Sequence, residues 1–142
     1  MSDSGWSEAE KAAMQARAEE MRAERGGKKK ADALADLLAK VAEMPDDERV
    51  MAERLHSLVM ETAPQLEPRT WYGMPAWSLG GKVLCFFQPA TKFESRYSTF
   101  GFQDVARLDD GAMWPASFAL VSLGAEEERT ITALVERAVR GS

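Results

Sequence analysis

Apolar residues recur at helical spacing through the first part of the chain and at strand spacing through the middle, with the period changing near Pro68. Ser7 and Glu10 form a capping box, in which each side chain can satisfy a backbone N–H at a helix start. The Ala, Glu, Met, Gln and Arg residues that follow to Arg25 all favour helix, and Gly26-Gly27 stops it. Its only apolar stripe is Met14, Ala18 and Met21, which predicts an appendage that packs loosely or reaches a partner subunit. Lys28, Lys29 and Lys30 read as a solvated linker. From Ala31, residues Leu34, Leu37, Leu38 and Val41 mark a second helix that Pro45 closes. Asp46 and Asp47 supply an N-cap candidate for a third, with its stripe at Met51, Leu55, Leu58 and Val59 and its end before Pro64. The second and third helices are expected to pair antiparallel.

Beyond Pro68 the pattern predicts short strands over Thr70 to Tyr72 and Ala76 to Leu79, separated by a bend at Gly73 and Pro75. Gly80-Gly81 is a two-residue hairpin signal leading into Lys82 to Gln88. The apolar run from Val83 to Phe87 predicts a central strand covered on both sides. Further strands are expected over Ser95 to Phe102 and Ser117 to Val121. A last helix, Ala125 to Arg140, carries Ile131, Leu134, Val135 and Ala138 on one stripe. Helices, then antiparallel strands, then a helix means an α+β fold. A chain of 142 residues holds one such domain, over 31–142, preceded by a polar helix and Lys-rich linker over 1–30.

Composition narrows the chemistry. A net charge of −5 disfavours phosphate-backbone binding and mildly favours cationic partners, so no nucleic acid is expected. One cysteine excludes an intrachain disulfide, and one histidine excludes multi-His sites, leaving oxygen ligands for any metal. The absence of a long apolar run predicts no membrane association, and with the start of the sequence it suggests a soluble cytoplasmic protein. No P-loop, Gly-x-Gly-x-x-Gly or Gly-x-Ser-x-Gly pattern occurs, and the strand from Arg96 to Phe102 departs from the aromatic RNA-binding pattern.

Four segments in order carry a resemblance: Thr-Trp-Tyr-Gly-Met-Pro-Ala-Trp from Thr70, Gly-Lys-Val-Leu-Cys-Phe-Phe-Gln from Gly81, Lys-Phe-Glu-Ser-Arg-Tyr-Ser-Thr-Phe-Gly-Phe from Lys92, and Leu-Asp-Asp-Gly-Ala-Met-Trp-Pro-Ala-Ser-Phe-Ala-Leu from Leu108. Together they resemble the YdhG-like family, a bacterial domain of unknown function, over residues 31 to 140. The first helix resembles an extension seen in one branch of that family. The resemblance implies an antiparallel sheet with helices. For some members it also implies a frataxin-like iron chaperone that carries ferrous iron through surface carboxylates to iron–sulfur or haem assembly proteins. A monomer or a homodimer is expected.

Two groups of residues are candidates for a site. Asp104, Asp109 and Asp110 place hard oxygen ligands after a strand, although Asp-Asp-Gly is equally ordinary turn chemistry. Glu126 to Glu128 and Asp46 to Glu48 are accounted for as helix first turns. Trp71, Tyr72, Met74, Trp77, Phe93 and Trp114 sit beside Gly-Met-Pro and Trp-Pro bends that leave concave apolar surface. Arg69, Lys82, Lys92 and Arg96 could there orient an anionic ligand, and the competing reading is that the tryptophans fill a small core. Cys85 reads as an inert buried thiol and His56 as a half-buried helix residue. The leading expectation is a non-enzymatic binding protein carrying iron; the alternative is a small-molecule module with an aromatic cleft.

Overall fold

The computed structural model describes residues 5–140. Helix α1 (Glu8–Arg25) opens on the Ser7–Glu10 box, with the Glu10 amide donating to Ser7 Oγ at 3.0 Å and the Ser7 amide to Glu10 Oε1 at 2.8 Å. It stops at Gly26, and Gly27 turns the chain with φ +80°. Helices α2 (Lys30–Ala42) and α3 (Asp46–Thr62) follow. Five strands then form a meander: β1 (Glu67–Trp71), β2 (Met74–Leu79), β3 (Lys82–Gln88), β4 (Ser98–Phe102) and β5 (Ser117–Leu120). The sheet order is β1-β2-β3-β4-β5 and every neighbouring pair is antiparallel. Helix α4 (Ala125–Arg140) closes the fold, which is α+β with its N-terminal helix ahead of the strands.

Where element bounds differ from the sequence pattern, each difference has a local cause. The first hairpin turns on Tyr72 and Gly73, at φ 54° and 76°, and Pro75 lies within β2 opposite Thr70 rather than at a bend. The β2–β3 register begins only at Ala76, so the missing N–H of Pro75 falls outside that ladder. Strand β1 starts at Glu67 because Pro68 is tolerated on a sheet edge. Strand β4 starts at Ser98, since Glu94 takes φ 56° and the Ser95 amide is spent on the Ala90 carbonyl at 2.9 Å. Pro45 occupies the N-cap of α3, which moves Asp46 and Asp47 into the first turn, where their charge complements the helix dipole.

The core forms where α2, α3 and α4 meet one face of the sheet. Leu37 and Val41 of α2, Leu55 and Val59 of α3, and Ile131 and Val135 of α4 share a cluster with Trp77, Cys85, Phe87 and Phe100. A register irregularity at Trp77/Ser78 accompanies the full burial of consecutive residues Leu84 and Cys85. On the opposite face Trp71 packs on Phe86, whose ring lies against Gly101.

Helix α1 stands outside that cluster. It docks through Ala13, Ala16 and Glu20, one helical face, and leaves the expected stripe outward, with Met14 42% and Met21 43% exposed. Alanines let the helix approach the hairpin closely, which the longer methionines would prevent. No described helix is long and apolar enough to cross a membrane.

Candidate functional site

The β1–β2 hairpin builds the site. In a two-residue loop with both residues left-handed, the loop N–H groups point away from the ladder and need a partner elsewhere. Here that partner is Glu20 of α1: Tyr72 N donates to Oε1 and Gly73 N to Oε2, each at 2.9 Å. Lys92 Nζ donates to the Gly73 carbonyl at 3.0 Å on the same turn. Burial lowers the Lys92 pKa and so does nearby Lys40, while Glu43 and Glu20 act in the opposite sense. A Cβ on Gly73 would come within 2.7 Å of Lys92 Nζ and 3.4 Å of Ala16 Cβ, so glycine admits both the lysine and the helix.

One turn further along α1, Glu24 pairs with Arg69 of β1, and Arg17 reaches both Glu20 and Glu24. The Arg69 side chain is 16% exposed, and its Nε also donates to the Thr70 carbonyl at 3.2 Å. Between α1, α2 and the edge strand β1 lies a cavity of about 810 Å³. Its floor includes Leu66, Pro68, Arg69, Thr70 and Ser78, and α1 roofs it with Ala16, Ala23 and the glutamates. Ser78 is 2% exposed and its hydroxyl has no hydrogen-bond partner.

Charge divides unevenly around this space. Lys28, Lys29, Lys30, Lys40 and Arg69 are the basic residues of its wall. Asp36, Glu43 and Glu67 supply acid from the body, and Glu19, Glu20 and Glu24 supply it from α1. Lys28 pairs with Asp36, and Lys30 with Glu67 at 2.8 Å, a contact whose hydrogen bond raises the Lys30 pKa. Five basic groups therefore face three acidic ones on the body, and α1 brings the excess negative charge.

The residues expected to form an aromatic cleft are spread over both faces of the sheet. Trp71 pairs with Met74 on the outer face, whereas Trp77 pairs with Pro68 and is fully buried against His56 of α3. Tyr72 stacks edge-on to Trp71 under the Arg17 guanidinium. Met74 is buried, Lys82 is exposed at the β2–β3 turn, Phe93 is half-buried, and Arg96 lies over Tyr97. Trp114 is 37% exposed on the long segment before β5. Side chains alternate across a strand, so six residues of sequence separation with an intervening turn put Trp71 and Trp77 back to back. Of the ten expected cleft residues, Arg69 alone lines the cavity.

The expected metal ligands are not gathered into a binding group. Asp104, Asp109 and Asp110 are exposed, and among the described residues no group of three or more His, Cys, Asp or Glu side chains is placed to hold a metal ion. Asp109 instead shares a surface crevice with Arg107, Arg137 and Arg140, a positive surrounding that repels a cation. Cys85 is buried, and burial pushes its thiol pKa up, as the apolar strand implied.

No protein-family model, curated protein or solved structure matches this chain.

Three of the site's residues, Ser78, Glu20 and Glu24, were not among those expected from the sequence. Only the four-residue spacing of Glu20 and Glu24, which puts two carboxylates on one helix face, hinted at a joint role.

Proposed function

We propose that this chain is a non-enzymatic binding protein whose cavity takes a small molecule bearing a carboxylate. The observation that carries the reading is Arg69 in the cavity wall. A guanidinium offers five N–H donors in a planar fork that matches a carboxylate, and the contacts to Glu24 and Thr70 use two of them. The cavity volume lies in the range of ordinary small-molecule sites, and the Ser78 hydroxyl is a second polar group close by without a protein partner. His56 and Cys85, the residues best suited to acid–base or nucleophilic work, lie in or against the core and do not line this space, which favours binding over catalysis. The fold agrees with the YdhG-like resemblance, and ferrous iron remains the cargo that resemblance suggests.

The test is a titration of isotope-labelled protein, followed by amide NMR, with acetate, short dicarboxylates, ferrous iron under anaerobic conditions, and magnesium. Saturable shifts at Glu67, Arg69, Thr70 and Ser78 with a carboxylate, lost in Arg69→Ala, are expected. No saturable shift with any carboxylate overturns the reading. Iron-selective shifts at Asp104, Asp109 and Asp110 would restore the carrier function in its place.

A further inference from the structure

We infer that Arg69 at the cavity wall and the neighbouring Tyr72–Gly73 turn together form a dicarboxylate site, and that α1 is its tethered stand-in ligand; the inference rests on the carboxylate reading above. Helix α1 presents two carboxylates one turn apart, and each is met by a separate receptor on the body. Glu20 is taken through both oxygens by the Tyr72 and Gly73 amides, and Glu24 by Arg69. Backbone amides of consecutive left-handed residues form a concave anion receptor, and an arginine fork forms another. The Glu20 side chain is only 11% exposed, so its carboxylate is largely shielded by the docked helix and turn.

The two receptors are spaced for ligands about 6 Å apart along the helix axis, the rise of four residues. An extended five- or six-carbon dicarboxylate spans a comparable distance and could occupy both at once. The body around them has five basic groups against three acidic ones. Once the α1 glutamates leave, the site carries a net positive charge that suits a dianion and disfavours a diamine. Gly26 and Gly27 lie where the roof joins the body, and Gly27 already holds φ +80°, so the joint can move without rebuilding either helix. A dicarboxylate that enters thus competes with α1 and releases it, which couples ligand occupancy to the position of the helix.

Adipate, with acetate as the single-carboxylate control, tests this on the full chain. In Glu20→Gln/Glu24→Gln the stand-in charges are gone, and adipate should bind at least about tenfold more tightly than to the parent, with acetate gaining far less. Circular dichroism confirms that the variant is folded. A second measurement needs no variant: saturating adipate should raise amide hydrogen exchange across Glu8–Arg25 in the parent and leave β3 unchanged. Equal affinity of parent and variant for adipate, or unaltered exchange in α1 at saturation, overturns the stand-in role. If acetate still binds at Arg69 in that case, the carboxylate reading survives; if no carboxylate binds either protein, both fall.

Discussion

The indole N–H of Trp77 donates to Nδ1 of His56 at 3.1 Å, joining the middle of the sheet to α3. The acceptor role requires Nδ1 to be unprotonated, so the ring is neutral with its proton on Nε2. Protonation would set two donors against each other. Burial lowers the His56 pKa below its ordinary value of 6.5.

That shift fixes the sign of a pH effect. A folded-state pKa below the unfolded one means that the unfolded chain binds the proton more readily. The contribution to stability is complete above about pH 6.5 and is lost as pH falls through the depressed folded value. Thermal unfolding should therefore show a falling Tm from about pH 7 to about pH 5, and His56→Gln should be flatter over that window. Parallel curves for the two proteins would count against the hydrogen bond's role.

Gly101 owes its identity to Phe86. A Cβ there would come within 2.5 Å of the ring, and an aromatic flanked by Trp71 cannot yield as a flexible chain could. Gly101→Ala should cost about 1–3 kcal/mol in urea unfolding. In a Phe86→Ala background the same change should cost much less, because the clashing ring is absent.

Ser78→Ala should raise stability by about 1 kcal/mol, since it removes a buried hydroxyl that has no partner. The same variant should weaken carboxylate binding in the NMR titration. Stability and binding moving in opposite directions would mark Ser78 as a residue kept for its ligand.

Cys85 should resist thiol reagents. It is fully buried and its thiol is held protonated by desolvation. Ellman's reagent should react slowly with the native chain and at once in denaturing urea. Rapid reaction of the native chain would show that β3 opens readily.

The fold was legible wherever its cause was local. The Ser7–Glu10 box, the stripe Leu55–Leu58–Val59 and the run Val83 to Phe87 each reflect a period or a cap contained within a few residues. The misplaced starts of β1 and β4 depended on neighbours: an edge position that tolerates Pro68, and a turn that captures the Ser95 amide. Of the site, Arg69, Tyr72 and Lys92 were legible as residues, but not the partners they meet. Glu24, the partner of Arg69, lies 45 residues away from it, and the amides that hold Glu20 lie 52 and 53 residues away. Composition cannot say which polar face of α1 turns inward, and Trp71 and Trp77, close in sequence, point to opposite sides of a sheet.

None of the main core cluster comes from α1, whose hold on the body is largely ionic and hydrogen-bonded. Folding of the core and docking of α1 should therefore differ in their sensitivity to ionic strength. Salt can loosen the helix while the sheet and its three helices stay intact. Substitutions along α1 should accordingly change the docking of the helix far more than the stability of the core it leans on.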